Sequence, residues 1–117
     1  MKITIDMPAQ RIADLMITAI ETGIGHWASD VQVYAGLDTR TPYGEASSYE
    51  GSWHVKGTYP LTNDGSETDT FFFSAETFAR NAVMAPWALA DWINENEDAG
   101  SADVLFQCAA FGGVVFG

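Results

Sequence analysis

Residues 8–29 read PAQRIADLMITAIETGIGHWAS, and the rest of the chain organises itself around them. Counting from Ile12, the residues Leu15, Met16, Ala19, Ile20, Gly23 and Trp27 recur at helical spacing, while Asp14, Thr18 and Glu21 fall on the opposite side. Pro8 suits a first helical position, where its missing N–H is not needed. The spacing predicts a long amphipathic helix that weakens at Gly23 and Gly25, breaks near Gly23 and resumes through His26 and Trp27. Gly23 lies on the apolar face, which predicts close backbone packing there. A phosphate loop at Gly23-Ile24-Gly25 would need a Lys-Ser/Thr pair after it and a strand just before it, and has neither.

Working outward, Ile3 and Ile5 alternate with polar neighbours, so residues 2–6 read as a short first strand. Val31 to Tyr34 is a brief strand candidate, and Gly36 to Ser48 reads as an exposed loop. From Tyr49 to Tyr59 the alternation is clear. Gly51, Trp53, Val55, Gly57 and Tyr59 share one face, and Glu50, Ser52, His54, Lys56 and Thr58 share the other. Asn63-Asp64-Gly65 signals a turn, and Thr68 to Phe73 supplies the partner strand. There Phe71 and Phe73 face one way and Phe72 the other, so both sides of that strand are expected to be partly covered.

Ser74 is a good N-cap, with Glu76 in the first turn behind it. Pro86 either kinks the helical stretch after Ser74 or divides it into two helices, over about 75–84 and 86–96, the second opened by Pro86. In the second segment Leu89, Trp92 and Ile93 make an apolar face. Asp91, Glu95 and Asp98 lie opposite at i, i+4 and i+7. Ser101 reads as the cap of a last helix that is apolar almost all round from Val104 to Phe111, and therefore buried. Gly112-Gly113 ends it, and Val114 to Phe116 reads as a final strand. The fold class is α+β: a small antiparallel β-sheet packed against about three α-helices, in a single domain spanning 1–117.

A chain of 117 residues can bury a core without staples. Its 47% hydrophobic content argues against disorder. Sixteen acidic residues against 5 basic ones give a formal charge of −11. Direct binding of nucleic acid or an anionic membrane is therefore disfavoured, since both need a basic surface. A lone cysteine, Cys108, excludes an internal disulfide framework. The segment MKITIDMP does not resemble a signal peptide and no apolar run is long enough to span a bilayer. The expected location is the cytosol.

No motif names a reaction, a cofactor or a metal. His26 and His54 lack neighbours at ligand spacing and read as a core-edge and a surface histidine. Cys108, in the most apolar helix, reads as an inert buried thiol. Carboxylates are plentiful, but general acid–base work needs a shaped pocket that a sequence does not display. More informative is that no Lys or Arg comes after Arg80, whereas Asp91, Glu95, Glu97, Asp98 and Asp103 do. Carboxylates at i and i+4 rise about 6 Å along a helix, on the scale of the spacing between successive phosphates. Such a row reads either as a solvated helix face or as a phosphate mimic for a basic channel.

The segments IADLMITAIETGIGHWA, SAETFARNAVMA and NENEDAGSADVLFQCAAFGGVVFG resemble a group of small proteins encoded by bacteriophages and prophages. The shared pattern falls on Gly23 to Ala28, then on Asp98, Ala99, Ala102, Asp103, Gln107, Phe111, Gly112 and Gly117. The likeness covers both ends of the chain and little of residues 30–70. It implies a phage source and, by the small acidic character of the group, an anti-CRISPR-like inhibitor acting in the cytoplasm of an infected bacterial host. The expected partner is the basic nucleic-acid-binding surface of a host Cas protein or complex. The expected partner-binding residues are Asp91, Glu95, Glu97, Asp98 and Asp103, with Glu67 and Asp69 as a second patch. Two other readings stand beside it. One is a phage accessory or assembly module that binds through exposed aromatics among Tyr34, Tyr43, Trp53 and Trp87. The other is a small enzyme acting on a signalling nucleotide, with His26 or His54 beside carboxylates in a deep pocket.

Overall fold

The computed structural model describes residues 7–117. The strand expected over residues 2–6 lies outside them. The first helix, α1 (Ala9–Thr18), starts one residue after Pro8, whose carbonyl accepts from the amides of Arg11 and Ile12. Leu15, Met16 and Ala19 are buried, as the spacing requires; Ala13, outside that face, is buried with them, and Ile12 and Ile20 are half-buried. The helix widens into a π turn over Ala19–Gly23, closed by Ile24 N–H donating to the Ala19 carbonyl at 2.8 Å. The break thus falls where the glycines are. Gly23 makes the expected close approach: a Cβ built on it would lie 2.8 Å from the Ala99 carbonyl oxygen.

Four strands come next among the described residues, β1 (Ser29–Ala35), β2 (Thr39–Thr41), β3 (Trp53–Pro60) and β4 (Thr68–Ser74). They form an antiparallel sheet in the order β2-β1-β3-β4. The expected loop over 36–48 therefore contains a three-residue strand. Val33 pairs with Val55, and Val55 with Phe73, so these three share the inner face with Trp53, Gly57 and Phe71. Gln32, Lys56 and Phe72 make a row on the outer face. His54 also faces outward, yet it is not the surface histidine its position implies. Its ring is stacked on Tyr34 at 5.1 Å and flanked by Phe72 at 5.2 Å between centroids, and the residue is buried. Neighbouring strands bring side chains too close for a period-2 pattern to show which of them cover each other.

Beyond the sheet, Ser74 caps α2 (Ala75–Asn81) by accepting from Thr77 N–H. A 3-10 turn over Ala82–Met84 leads to Pro86, which opens α3 (Pro86–Ile93). The last helix, α4 (Ala99–Phe111), is buried on nearly every side, as its composition predicts. Among the described residues the α-helices number four, since at Pro86 the stretch after Ser74 divides into two helices rather than kinking. The cap of α4 is Asp98, not Ser101: Asp98 Oδ1 accepts from Ser101 N–H, and Ser101 Oγ accepts from Asp98 N–H, each at 2.9 Å.

Residues 114–117 form no strand. Gly112 ends α4 in the left-handed region at φ 77°, and the chain then returns over Trp27. Phe116 stacks on Trp27 with ring centroids 5.2 Å apart. Trp27 also meets Phe71, Phe106 and Phe111, so one indole joins the π turn, the sheet, α4 and the carboxyl-terminal segment. Burial of four such rings around Trp27 is the main apolar contribution at this end of the core.

Candidate interaction surface

Asp91, Glu95 and Asp98, expected along one helix face, do not form a row. α3 stops at Ile93, and Glu95 takes a left-handed backbone at φ 59°. Glu95 N–H donates to the Trp92 carbonyl and Asn96 N–H to the Asp91 carbonyl. These are the paired bonds of a Schellman stop. The i, i+4, i+7 register of Asp91, Glu95 and Asp98 is therefore lost two residues after Asp91.

Three of the five carboxylates expected to bind a partner from this region are hydrogen-bonded within the molecule. Glu97, whose side chain is 9% exposed, takes the Arg11 guanidinium through both carboxylate oxygens, at 3.0 and 3.2 Å. That bond, ahead of the other nearby carboxylates, holds the Arg11 guanidinium above its ordinary pKa. Arg11 donates further to the Trp92 carbonyl, and Trp92 Nε1 donates to the Arg11 carbonyl, so the cluster ties α1 to α3. Asp98 is the helix cap. The amide of Ser101, followed by its hydroxyl, holds the Asp98 carboxyl below the usual range. Asp103 accepts from Trp27 Nε1 at 2.8 Å and from Gln107 Nε2 at 2.9 Å, and lies 3.6 Å from His26 Nε2. Ser101 and Gln107 are local partners, but Arg11 and Trp27 come from 86 and 76 residues away, which sequence spacing cannot show.

Asp91 and Glu95 are held less closely, Glu95 Oε1 lying 3.8 Å from Arg11 Nε. The Glu95 side chain is 74% exposed and Asp91 is half-buried. Glu67 and Asp69 are exposed on the β3–β4 hairpin, as the second patch requires. They are joined by Asp64, which the spacing of carboxylates does not single out although the Asn63-Asp64-Gly65 turn signal points at it. Asp64 Oδ1 accepts from Ser66 N–H and Thr62 Oγ1, which hold its carboxyl down at about 2. Asp64, Glu67 and Asp69 occupy one end of the sheet, and residues 57–79 contain no Lys or Arg to offset them.

Of the aromatics expected at the surface, Trp87 is exposed, Tyr34 and Tyr43 are half-buried, and Trp53 is buried. Trp53 packs edge-on against Tyr49 and Phe73, since its strand face turns toward the helices. A cavity of about 130 Å³ lies among α1, α2, α3 and β3, lined by side chains such as Ile12, Trp53, Phe78 and Trp92. Its lining contains no histidine and no carboxylate. The Cys108 thiol is buried, and desolvation pushes its pKa up, away from the thiolate needed for attack. No described helix is long and apolar enough to cross a membrane.

No protein-family model, curated protein or solved structure matches this chain. Its own surface is the guide to what it binds.

Proposed function

We propose that this protein is a phage-encoded binding module that inhibits a bacterial defence effector, most concretely a Cas effector complex in the cytoplasm of the infected host. It occupies the effector's basic nucleic-acid channel with an acidic surface and so excludes target DNA. The observation that supports this reading is the exposed carboxylate group at the hairpin end of the sheet, Asp64, Glu67 and Asp69, on a chain of net charge −11. Glu95 and Asp91 add to it. Glu97, Asp98 and Asp103 hold the fold that presents these groups. Each exposed carboxylate would meet a Lys or Arg that otherwise holds phosphate. The phage source and the Cas target come from the sequence resemblance.

The test is competition. Purified Cas effector is loaded with guide RNA, and target-DNA binding is measured against rising concentrations of the protein. Wild type is compared with Glu67→Lys/Asp69→Lys/Glu95→Lys, after thermal melting shows the variant folded. The expected result is a loss of inhibition of roughly tenfold or more that is steepest at low salt. Unchanged inhibition by the triple variant would overturn the acidic-surface reading.

A further inference from the structure

The solvent side of α3 is apolar. Trp87, Ala90 and Ile93 succeed one another along it, and Val83 and Met84 of the preceding 3-10 turn extend the line. Trp87 is 57% exposed, Met84 55%, Ile93 54% and Val83 45%. The helix also buries Ala88 and Trp92 on its inner side, so it is apolar on two faces. An ordinary surface helix needs only one. The exposed side chains make a patch on the order of a few hundred Å², the size at which such patches on monomers carry a function.

The geometry points to this face as the anchor that seats the protein in an apolar cleft with a basic rim on a different protein. The inference rests on the reading of the molecule as a binding module for a basic surface, and adds where it is held. Charge selects a heterologous partner over a second copy. A self-dimer would bring together two chains of charge −11 each. At the carboxyl end of the patch stand Asp91, one turn beyond Trp87, and Glu95. Arg80, at the other end, is the last cation of the chain. A cleft with Lys or Arg at its rim satisfies both the apolar line and the acidic end. A helix laid into such a cleft uses anchors three or four residues apart, as Trp87, Ala90 and Ile93 are. Trp87 supplies the large rigid side chain that dominates interfaces of this kind.

The experiment places a photo-cross-linking benzoylphenylalanine at position 87 of the full chain, and in a separate variant at Leu37, an exposed residue of the β1–β2 turn. Both are irradiated in host cells, and the cross-linked peptide is sequenced. The inference expects capture from position 87 and not from 37 of a protein whose cross-linked segment is apolar and flanked by Lys or Arg. With that partner purified, Trp87→Ala and Ile93→Ser each weaken binding, Trp87→Ala by roughly tenfold or more at low and high salt alike. Glu95→Gln weakens it at low salt only. A cross-linked dimer of the chain, no heterologous capture from position 87, or affinity unchanged by both apolar variants overturns the inference. A partner that fits the cleft but binds no nucleic acid, such as a phage structural protein, sinks the proposed inhibitor function and leaves the anchor standing. A Cas effector held through another face does the reverse.

Discussion

The Gln107 carboxamide holds Phe116 by both of its backbone groups. Gln107 Nε2 donates to the Phe116 carbonyl at 3.0 Å, and Gln107 Oε1 accepts from Phe116 N–H at 2.8 Å. Oε1 takes Val115 N–H as well, at 2.8 Å, and the second Nε2 hydrogen goes to Asp103. A fully buried side chain thus mimics a strand partner for a segment that has none.

This arrangement predicts that Gln107→Glu is severely destabilising. The substitution turns a two-hydrogen donor into an acceptor facing a carboxylate and a carbonyl, at a cost of roughly 2–4 kcal/mol. Amide exchange at Val115 and Phe116 and the emission of Trp27 are expected to report release of the terminal segment. Protection at those amides equal to wild type would show that the two Nε2 donations are not needed to hold the segment.

Gly23→Ala is expected to destabilise by roughly 1–3 kcal/mol, because the new methyl meets the Ala99 carbonyl oxygen, which cannot rotate away. Gly25→Ala provides the control, since a Cβ there meets nothing within 4 Å. Equal urea midpoints for the two variants would refute close packing of the π turn on α4.

Arg11 and Glu97 form a largely buried pair, so removing one partner strands the other. Arg11→Met is expected to cost roughly 2–4 kcal/mol, and adding Glu97→Leu to recover about half of that. Chemical denaturation of the two single variants and the double one measures the coupling. Additive losses would mean that the pair is screened like any surface bridge.

Asp98 predicts a pH signature. Its carboxyl is held below the ordinary range in the folded protein, so its contribution is complete above the unfolded value, near 4. The contribution fades as pH falls through the folded value. Asp98→Ala is expected to lower Tm at neutral pH, with the gap to wild type closing in strong acid. A gap independent of pH would assign the effect to chain geometry rather than to the carboxylate.

Glu95 occupies the left-handed position of a helix stop where glycine is the ordinary choice. Glu95→Gly is therefore expected to stabilise the fold by about 1 kcal/mol. The same change removes an exposed carboxylate, so the proposed function expects affinity for the basic partner to fall as Tm rises. If Tm drops instead, the left-handed turn is not under strain.

Much of the architecture is legible in residue order. The alternation from Tyr49 to Tyr59, of which the strand takes up Trp53 onward, the Asn63-Asp64-Gly65 turn and the Ser74 cap each express local geometry, which neighbouring residues determine between them. The same holds for the buried character of α4 and for the break near Gly23. The course of the carboxyl-terminal segment is not legible, because three apolar residues after two glycines satisfy the period of a strand although the segment forms none and Gln107 serves as its partner.

Residue order by itself therefore determined the α+β class, the positions of most elements and the acidic balance of the chain. All arise from interactions within a few residues or from composition. Only the tertiary structure decided which charges remain free. Glu97 meets Arg11 from 86 residues away and Asp103 meets Trp27 from 76. A carboxylate's exposure depends on such distant partners, so two acidic residues of identical local pattern end as a buried brace and a solvent-facing contact.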